Sequence, residues 1–319
     1  LNVLVTGAAG LYGSHLVEAL VEHPAVAKVI GVDNFSRPFL VKRPLSEALM
    51  ENSKLTVFRR SYQEITADDI DTWRINAVIH LAASVSIDES IERAQAYFLN
   101  NEYGTFGLAQ TLLQSKSRPL IIYASSPEVY GNPRYTPIDE EHPLYPRSIY
   151  AVTKLAAEKH VNALHEWFHY PMIIIRNFNT YGENQNSEGH SAVIPRFVMN
   201  AIRGEPLILH NTGRQTRDFL YISDAVQAYL RLLFQGETYS GQVFNIGTGK
   251  QTSIADLATT IKAVTATSSA IIQAQGRPGD LDALEADISK IKTAVGWSPA
   301  FSLTEGLERT IAWYRRHAQ

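Results

Sequence analysis

Tyr150-Ala151-Val152-Thr153-Lys154 opens a helical pattern, so a phenol and an ammonium four positions apart share one face, a turn from each other. Burial alone raises the pKa of a phenol, whereas positive charge beside it brings the value down toward working pH. Tyr150 is therefore a candidate general base, with Lys154 to stabilise its anion. The spacing alone is also that of many surface pairs. What adds weight is Ser125-Ser126-Pro127-Glu128-Val129-Tyr130-Gly131, which follows the apolar run from Leu120 to Tyr123. Hydroxyls at the carboxyl end of a parallel strand open on the cleft where such sheets bind ligands. Glu128 adds a carboxylate; its alternative is a turn residue facing water or bonding a backbone N–H. With 0 cysteines, thiol nucleophiles, thiolate metal sites and disulfides are excluded. The 10 histidines show no H-E-x-x-H spacing, so no metal site is expected.

A second constellation stands at the start of the chain. Thr6-Gly7-Ala8-Ala9-Gly10-Leu11-Tyr12-Gly13 follows a strand pattern and leads into a helical one. Gly7 suits a tight turn, Gly10 lets backbone approach a pyrophosphate, and Gly13 allows close helix packing; the helix N-terminus, with Leu11 and Tyr12, turns free N–H groups to the phosphates. Asp33, with Asn34 beside it, ends the next apolar run, where a carboxylate accepts hydrogen bonds from a ribose diol and repels a 2′-phosphate. NAD is favoured over NADP, with Arg37 as the nearby cation that argues the other way.

The elements that must position these groups follow from the apolar rhythm. Short runs, Asn2 to Val5, Val29 to Val32, Ala77 to Leu81, Leu120 to Tyr123 and Met172 to Ile175, alternate with longer helical patterns. Strands separated by helices imply a parallel sheet, and strands with little polar alternation imply helices on both faces. An α/β, doubly wound fold is expected over residues 1–178, with a smaller region over 179–319 where the rhythm breaks into Gly/Pro punctuation and from which some segments return to the sheet. In that region Ser253 with Asp256 predicts a helix cap, and Leu307, Ile311 and Tyr314 share a face. Helical spans from about Ser86 to Leu113 and from about Ser148 to Trp167 have outer faces that could pair between subunits or meet solvent.

Composition narrows the partners. A chain of 319 residues with 45% hydrophobic content can bury a sizeable core. A net charge of -3 supplies no sustained positive field for nucleic acid. No apolar run is long enough to span a bilayer, and Leu1 opens directly into a strand pattern rather than a signal peptide, so no membrane partner and a cytoplasmic location are expected.

Further motifs follow in order: His80-Leu81-Ala82-Ala83 after a strand, Asn101-Glu102-Tyr103-Gly104-Thr105, Arg176-Asn177-Phe178-Asn179-Thr180-Tyr181-Gly182, Gln215-Thr216-Arg217-Asp218-Phe219 and Arg277-Pro278-Gly279-Asp280. With the glycine fingerprint, the serine segment and Tyr150/Lys154, the chain resembles the extended short-chain dehydrogenase/reductase family, in its nucleotide-sugar epimerase and dehydratase branch, over nearly its whole length. The resemblance implies a Rossmann domain with a substrate-binding region, NAD as cofactor, a nucleotide-diphosphate sugar as substrate and a homodimer. It implies that Ser126 hydrogen-bonds the sugar hydroxyl being oxidised, Tyr150 removes its proton and Lys154 positions the nicotinamide ribose. Asn101 would support the active-site helix, while Leu81, Ala82 and Ala83 keep room for the cofactor. Asn179, Arg217 and Arg277 would grip the sugar diphosphate, and Val193 would help enclose the base. Outside that frame both arginines would pass for solvated charges.

The chain departs from the family pattern at Gly182-Glu183-Asn184-Gln185, where Gly-Pro-Arg-Gln is common, and around Ser61 to Ile65, where the family's acid that touches the adenine has no clear counterpart. A further departure is Pro127, where the best-known dehydratases carry an aspartic acid. Oxidation at the sugar C4 followed by return of hydride to the opposite face of the rotated ketone gives the C4 epimer and needs only Ser126, Tyr150 and Lys154. A 4,6-dehydratase needs further acids; Glu128 occupies the position of its base, as it also does in uronic-acid decarboxylases, but proline at 127 cannot donate a proton. Epimerisation is favoured, with dehydration or decarboxylation through Glu128 as the alternative, and a non-catalytic NAD sensor or a dehydrogenase that consumes external cofactor as readings of other kinds.

Overall fold

Each apolar run named above forms a strand. The computed structural model describes residues 1–37, 45–188, 191–275 and 281–317. In chain order the strands are β1 (Asn2–Thr6), β2 (Lys28–Asp33), β3 (Leu55–Arg59), β4 (Ala77–His80), β5 (Leu120–Ser125), β6 (Met172–Asn177), β7 (Asn179–Tyr181), β8 (Leu207–His210), β9 (Thr216–Arg217), β10 (Phe219–Tyr221), β11 (Gln242–Ile246), β12 (Thr252–Ser253) and β13 (Ile271–Ala274). The main sheet has the order β11-β6-β5-β4-β1-β2-β3, and every pairing within it is parallel. The chain winds one way from β1 to β3 and the other way from β4 onward, so the strand order reverses between β1 and β4. Ligands of such sheets bind in the crevice outside the strands' carboxyl ends at that point.

Period-two alternation sends successive side chains of one strand into separate cores. Val3 and Val5 of β1 pack with Leu16, Val17 and Leu20 of α1 (Leu11–Glu22). Leu4, between them, packs with Leu108 and Leu112 on one helix and Val161 and Leu164 on another. Both faces of the sheet are therefore dry, which is why its strands carry so little polar alternation; each fully buried aliphatic side chain contributes about 1.5–3 kcal/mol. The architecture is the doubly wound α/β, Rossmann-like fold.

Two helical segments carry the site. After α2 (Glu47–Met50) and α3 (Ala67–Thr72), the helical span expected from about Ser86 to Leu113 is divided. It comprises α4 (Ile87–Glu92), a break at Arg93 with φ -123 and ψ 42, α5 (Ala94–Tyr97), a π-helical stretch Phe98–Tyr103 and α6 (Gly104–Gln114). The widened turn carries Asn101, as such turns often carry functional groups. Helix α7 (Ile149–Phe168) starts at Ser148, whose Oγ accepts from Ala151 N at 3.1 Å, and stops at His169 in the left-handed region at φ 50. That register turns Tyr150, Thr153, Lys154 and Glu158 inward toward β5. Beyond β7, Ser253 Oγ accepts from Asp256 N at 2.9 Å, and Leu307, Ile311 and Tyr314 are all buried, as their spacing predicts.

Candidate active site

Ser126, Tyr150 and Lys154 converge at the carboxyl end of β5. Ser126 caps a short 3-10 turn, Pro127–Tyr130, its Oγ accepting from Glu128 N at 3.3 Å; proline suits the first position of that turn because no N–H is needed there. The Ser126 hydroxyl lies beside the Tyr150 phenol, close enough to bear on its pKa. Burial raises the Tyr150 pKa well above its ordinary value; the Ser126 hydroxyl pulls it back, while the nearby Glu128 carboxylate and Tyr97 push it further up. Lys154 Nζ donates to Ala124 O and lies 4.3 Å from the centroid of the Tyr123 ring. Burial lowers its pKa to about 7, against the opposing pull of Glu158. An ammonium so poorly compensated is ready to bind a new acceptor.

Behind these groups runs a directed chain of hydrogen bonds. Thr6 Oγ1 accepts from Leu81 N at 3.2 Å and Ala82 N at 3.3 Å, which leaves its proton for His80 Nδ1 at 2.7 Å. His80 Nε2 then donates to Thr105 Oγ1 at 3.0 Å, and Thr105 donates to Asn101 O at 2.6 Å. The network assigns a neutral imidazole. Burial, aided by the Lys154 charge, lowers the His80 pKa to about 3. Asn101, 1% exposed, accepts from Ser84 N at 2.7 Å and donates to Ser84 O at 2.8 Å and Thr153 Oγ1 at 3.3 Å. Its side chain is thus engaged with the loop after β4 and with α7, and supports the helix through those bonds.

The glycine fingerprint lies at the crevice. Gly7 has φ +70, and a Cβ there would stand 2.9 Å from Ala82 N; one on Gly13 would stand 2.0 Å from Gly7 O. Gly10 differs: a Cβ would meet only Gly7 O, at 3.4 Å. Protein packing therefore demands glycine at 7 and 13, whereas at 10 it leaves room for a Cβ. Gly10 is also the cap of α1 and brings no side chain to its first-turn amides. Asp33 accepts from Ala9 N at 3.0 Å and Phe35 N at 2.7 Å, bracing the glycine loop against the end of β2. Asn34 is exposed at the rim, its Oδ1 taken by Ser36 N at 3.0 Å. Leu81, Ala82 and Ala83 are half-buried in the loop leaving β4. The Tyr12 side chain turns away to Thr180 Oγ1, so its backbone is what it offers the cradle.

Residues 4–310 match the family model described as GDP-mannose 4,6 dehydratase. The chain belongs to the extended short-chain dehydrogenases/reductases, in their nucleotide-sugar epimerase and dehydratase branch. It is 30% identical over 316 residues to a putative UDP-glucose 4-epimerase of Methanocaldococcus jannaschii, covering 99% of each chain. It is 32% identical to a dTDP-D-glucose 4,6-dehydratase of Homo sapiens, covering 99% of this chain and 90% of that one. Among solved structures, the UDP-glucuronic acid 4-epimerase of Bacillus cereus in complex with UDP-glucuronic acid and NAD superposes with a TM-score of 0.92 at 31% identity, covering 99% of both chains. The family is NAD-dependent. The site fits NAD: an open approach at Gly10, uncapped helix amides for a pyrophosphate, and a carboxylate at Asp33 for a ribose. Arg37, which argued for NADP, is paired with Glu89 at 2.8 Å.

Downstream of β6 the structure distributes the expected substrate contacts unevenly. Asn179 lies on β7 beside Phe219 of β10, and its Oδ1 is buried without a hydrogen-bond partner among the described residues. Arg217 is buried rather than solvated, with Nη1 donating to Thr216 O at 2.9 Å and Leu281 O at 2.8 Å. Val193 opens α8 (Val193–Arg203) and packs on the main core. Arg277 lies outside the described residues. Sequence reasoning missed Asp218, fully buried, which accepts from Thr248 N, Gly249 N and Ala286 N and so ties together the loops around Arg217. It also missed Glu158, Arg176, Tyr130 and Asn245, a buried polar cluster behind the active site. Arg176 and Tyr130 were visible in motifs; that they would meet each other 46 positions apart, and Glu158 and Asn245 with them, was not.

Proposed function

We propose that the chain is an NAD-dependent nucleotide-sugar 4-epimerase acting through a transient 4-keto sugar, with Ser126, Tyr150 and Lys154 as the reacting set. The observation that carries this reading is Pro127, buried between Ser126 and Glu128: the position from which a dehydratase would protonate a departing hydroxyl holds a residue with no proton to give. The 4-epimerases among its relatives support the same reading.

When bound, NAD supplies the acceptor and then the donor of the sugar's hydride. Tyr150 removes the proton of the 4-hydroxyl and later returns one; Ser126 holds the same sugar oxygen by its hydroxyl, beside the Tyr150 phenol. Lys154 holds the cofactor ribose, and its charge, with that of the oxidised cofactor, offsets the burial that keeps the phenol protonated. Asn179, Arg217 and Arg277 bind the diphosphate, Val193 helps enclose the base, and residues 179–319, apart from segments such as β11 that return to the sheet, form the substrate region. The exposed apolar side chains Ile91, Phe98, Leu99 and Phe106, beside Val152 of α7, support pairing of two copies through this face. A homodimer in the cytoplasm is the assembly proposed.

Glu128 favours a second reading, because its charge is felt at the Tyr150 phenol. Incubation with UDP-, GDP-, CDP- and dTDP-sugars separates the two by mass: retained mass with a new sugar is expected, whereas loss of water indicates dehydration and loss of carbon dioxide decarboxylation. Glu128→Gln sharpens the test, since a dehydratase should lose a factor on the order of a hundred or more and an epimerase much less. Tyr150→Phe should cost about 10²–10⁴ in turnover under either reading. A chain that holds NAD and converts no sugar nucleotide would instead be a sensor.

A further inference from the structure

The loop leaving β2 and the helix following β4 are tied by side chains. Arg37 Nη1 donates to Glu89 Oε2 at 2.8 Å. Glu89 also accepts from Arg93 Nη1 at 3.0 Å and from Tyr97 OH at 2.9 Å. The Tyr97 oxygen in turn accepts from Ser86 N at 3.0 Å, and Ser86 caps α4 by accepting from Glu89 N at 3.2 Å. Glu89 is thus the hub that joins the segment beginning at Asp33 to α4, and α4 touches the catalytic helix where Tyr150 N donates to Ser90 Oγ at 3.2 Å.

Sheet order decides what this tie crosses. β2 and β4 are the two neighbours of β1, so the segments leaving their carboxyl ends flank the glycine loop on opposite sides. A bond from position 37 to position 89 bridges those sides at the reversal of strand order, where the cofactor of such a sheet lies. The pair is half shielded, with side-chain exposures of 38% for Arg37 and 12% for Glu89, a setting in which salt screens it less than an open surface pair. Burial would raise the Glu89 pKa, but the Tyr97 and arginine hydrogen bonds outweigh it and hold the carboxyl below its usual range.

We propose that the Arg37–Glu89 pair is a clasp across the cofactor crevice, and that Glu89 is a positioning residue whose task is to retain NAD in both oxidation states between the two half-reactions. The proposal rests on the keto-sugar reading above for its purpose: an enzyme that must return hydride to the sugar it came from fails when the reduced cofactor leaves first.

The test loads the intact protein with NADH, adds excess NAD, and follows the loss of bound-NADH fluorescence with no sugar present. Arg37→Met and Glu89→Gln are each expected to speed release about tenfold, equivalent to about 1.4 kcal/mol. Added salt should speed release from the parent protein more than from Arg37→Met, a response that general loosening of the fold would not give. Arg93→Ala, which removes a partner 64% exposed, should leave release within about twofold of the parent. Arg37→Met decides the matter if Glu89→Gln does not fold, because it leaves the Tyr97–Glu89 bond in place. Release within twofold of the parent in Arg37→Met, or an equal acceleration in Arg93→Ala, overturns the clasp. Because the assay contains no sugar, a dehydratase would give the same expected result. A parent protein that binds no NADH would overturn the cofactor assignment itself.

Discussion

Lys154 and Glu158, one turn apart on α7, are both buried, yet the fold surrounds them differently. Glu158 accepts from Arg176 Nη2 at 2.5 Å and Nε at 3.2 Å and from Ser125 Oγ at 2.8 Å. Although burial works against it, the Arg176 guanidinium is held charged by Glu158 and by Tyr130. Lys154, 4% exposed, has a carbonyl and the face of a ring, and its pKa falls to about 7. Saturated charge at one turn and undersupplied charge at the next is the difference between a strut and a working group. Both sit on the same stiff helix, so the strut fixes where the working group stands.

The largest test of that contrast is Arg176→Met, which leaves Glu158 buried and uncompensated and should cost about 3–5 kcal/mol of unfolding free energy by denaturant titration. The double replacement of Arg176 and Glu158 by methionine should recover most of it; a loss below about 1 kcal/mol in the single variant would show that the pair is no strut. Lys154→Met should behave in the opposite way, costing turnover heavily and stability little. Its pH dependence is informative. The folded pKa near 7 lies below the unfolded value near 10.5, so between them the unfolded chain binds the extra proton and stability of the parent rises with pH. The burial penalty is full below pH 7 and fades toward pH 10.5, a slope of up to about 1.4 kcal/mol per pH unit that Lys154→Met should lack. Parallel curves for the two proteins, stripped of nucleotide, would break the comparison. The smallest effect expected is from Ser148→Ala, which removes the cap that sets the register of α7 and should cost about 1 kcal/mol, read as a lowered denaturant midpoint.

Much of the cofactor half was legible because its signals are local. A strand, a glycine at each turn position and a helix occur within Asn2 to Glu22, and Tyr150 faces Lys154 because one helical turn separates them. The capping pair Ser253 and Asp256 was legible for the same reason. β3 was not, since Leu55-Thr56-Val57-Phe58-Arg59 mixes polar residues into an apolar run. The division of the span after Ser86 was hidden too, because nothing in its residue pattern marks the break at Arg93 or the widened turn at Phe98–Tyr103. Arg217 misled in isolation: exposure is the norm for arginine, and only the fold brings Thr216 O and Leu281 O to its guanidinium.

The order of apolar runs determined a parallel sheet, and the glycine spacing determined a place for a dinucleotide, because both are written in neighbouring residues whose backbone preferences act over one turn or one strand. Which side chains became struts and which stayed available was decided only by tertiary structure. Arg37 reads as a nearby cation arguing for NADP until Glu89, 52 positions on, comes to meet it, and Lys154 and Glu158, one turn apart, take different roles because the sheet delivers Arg176 to one and not to the other. Charge in a folded chain takes its value from what surrounds it, and those surroundings are assembled across the whole length of the molecule.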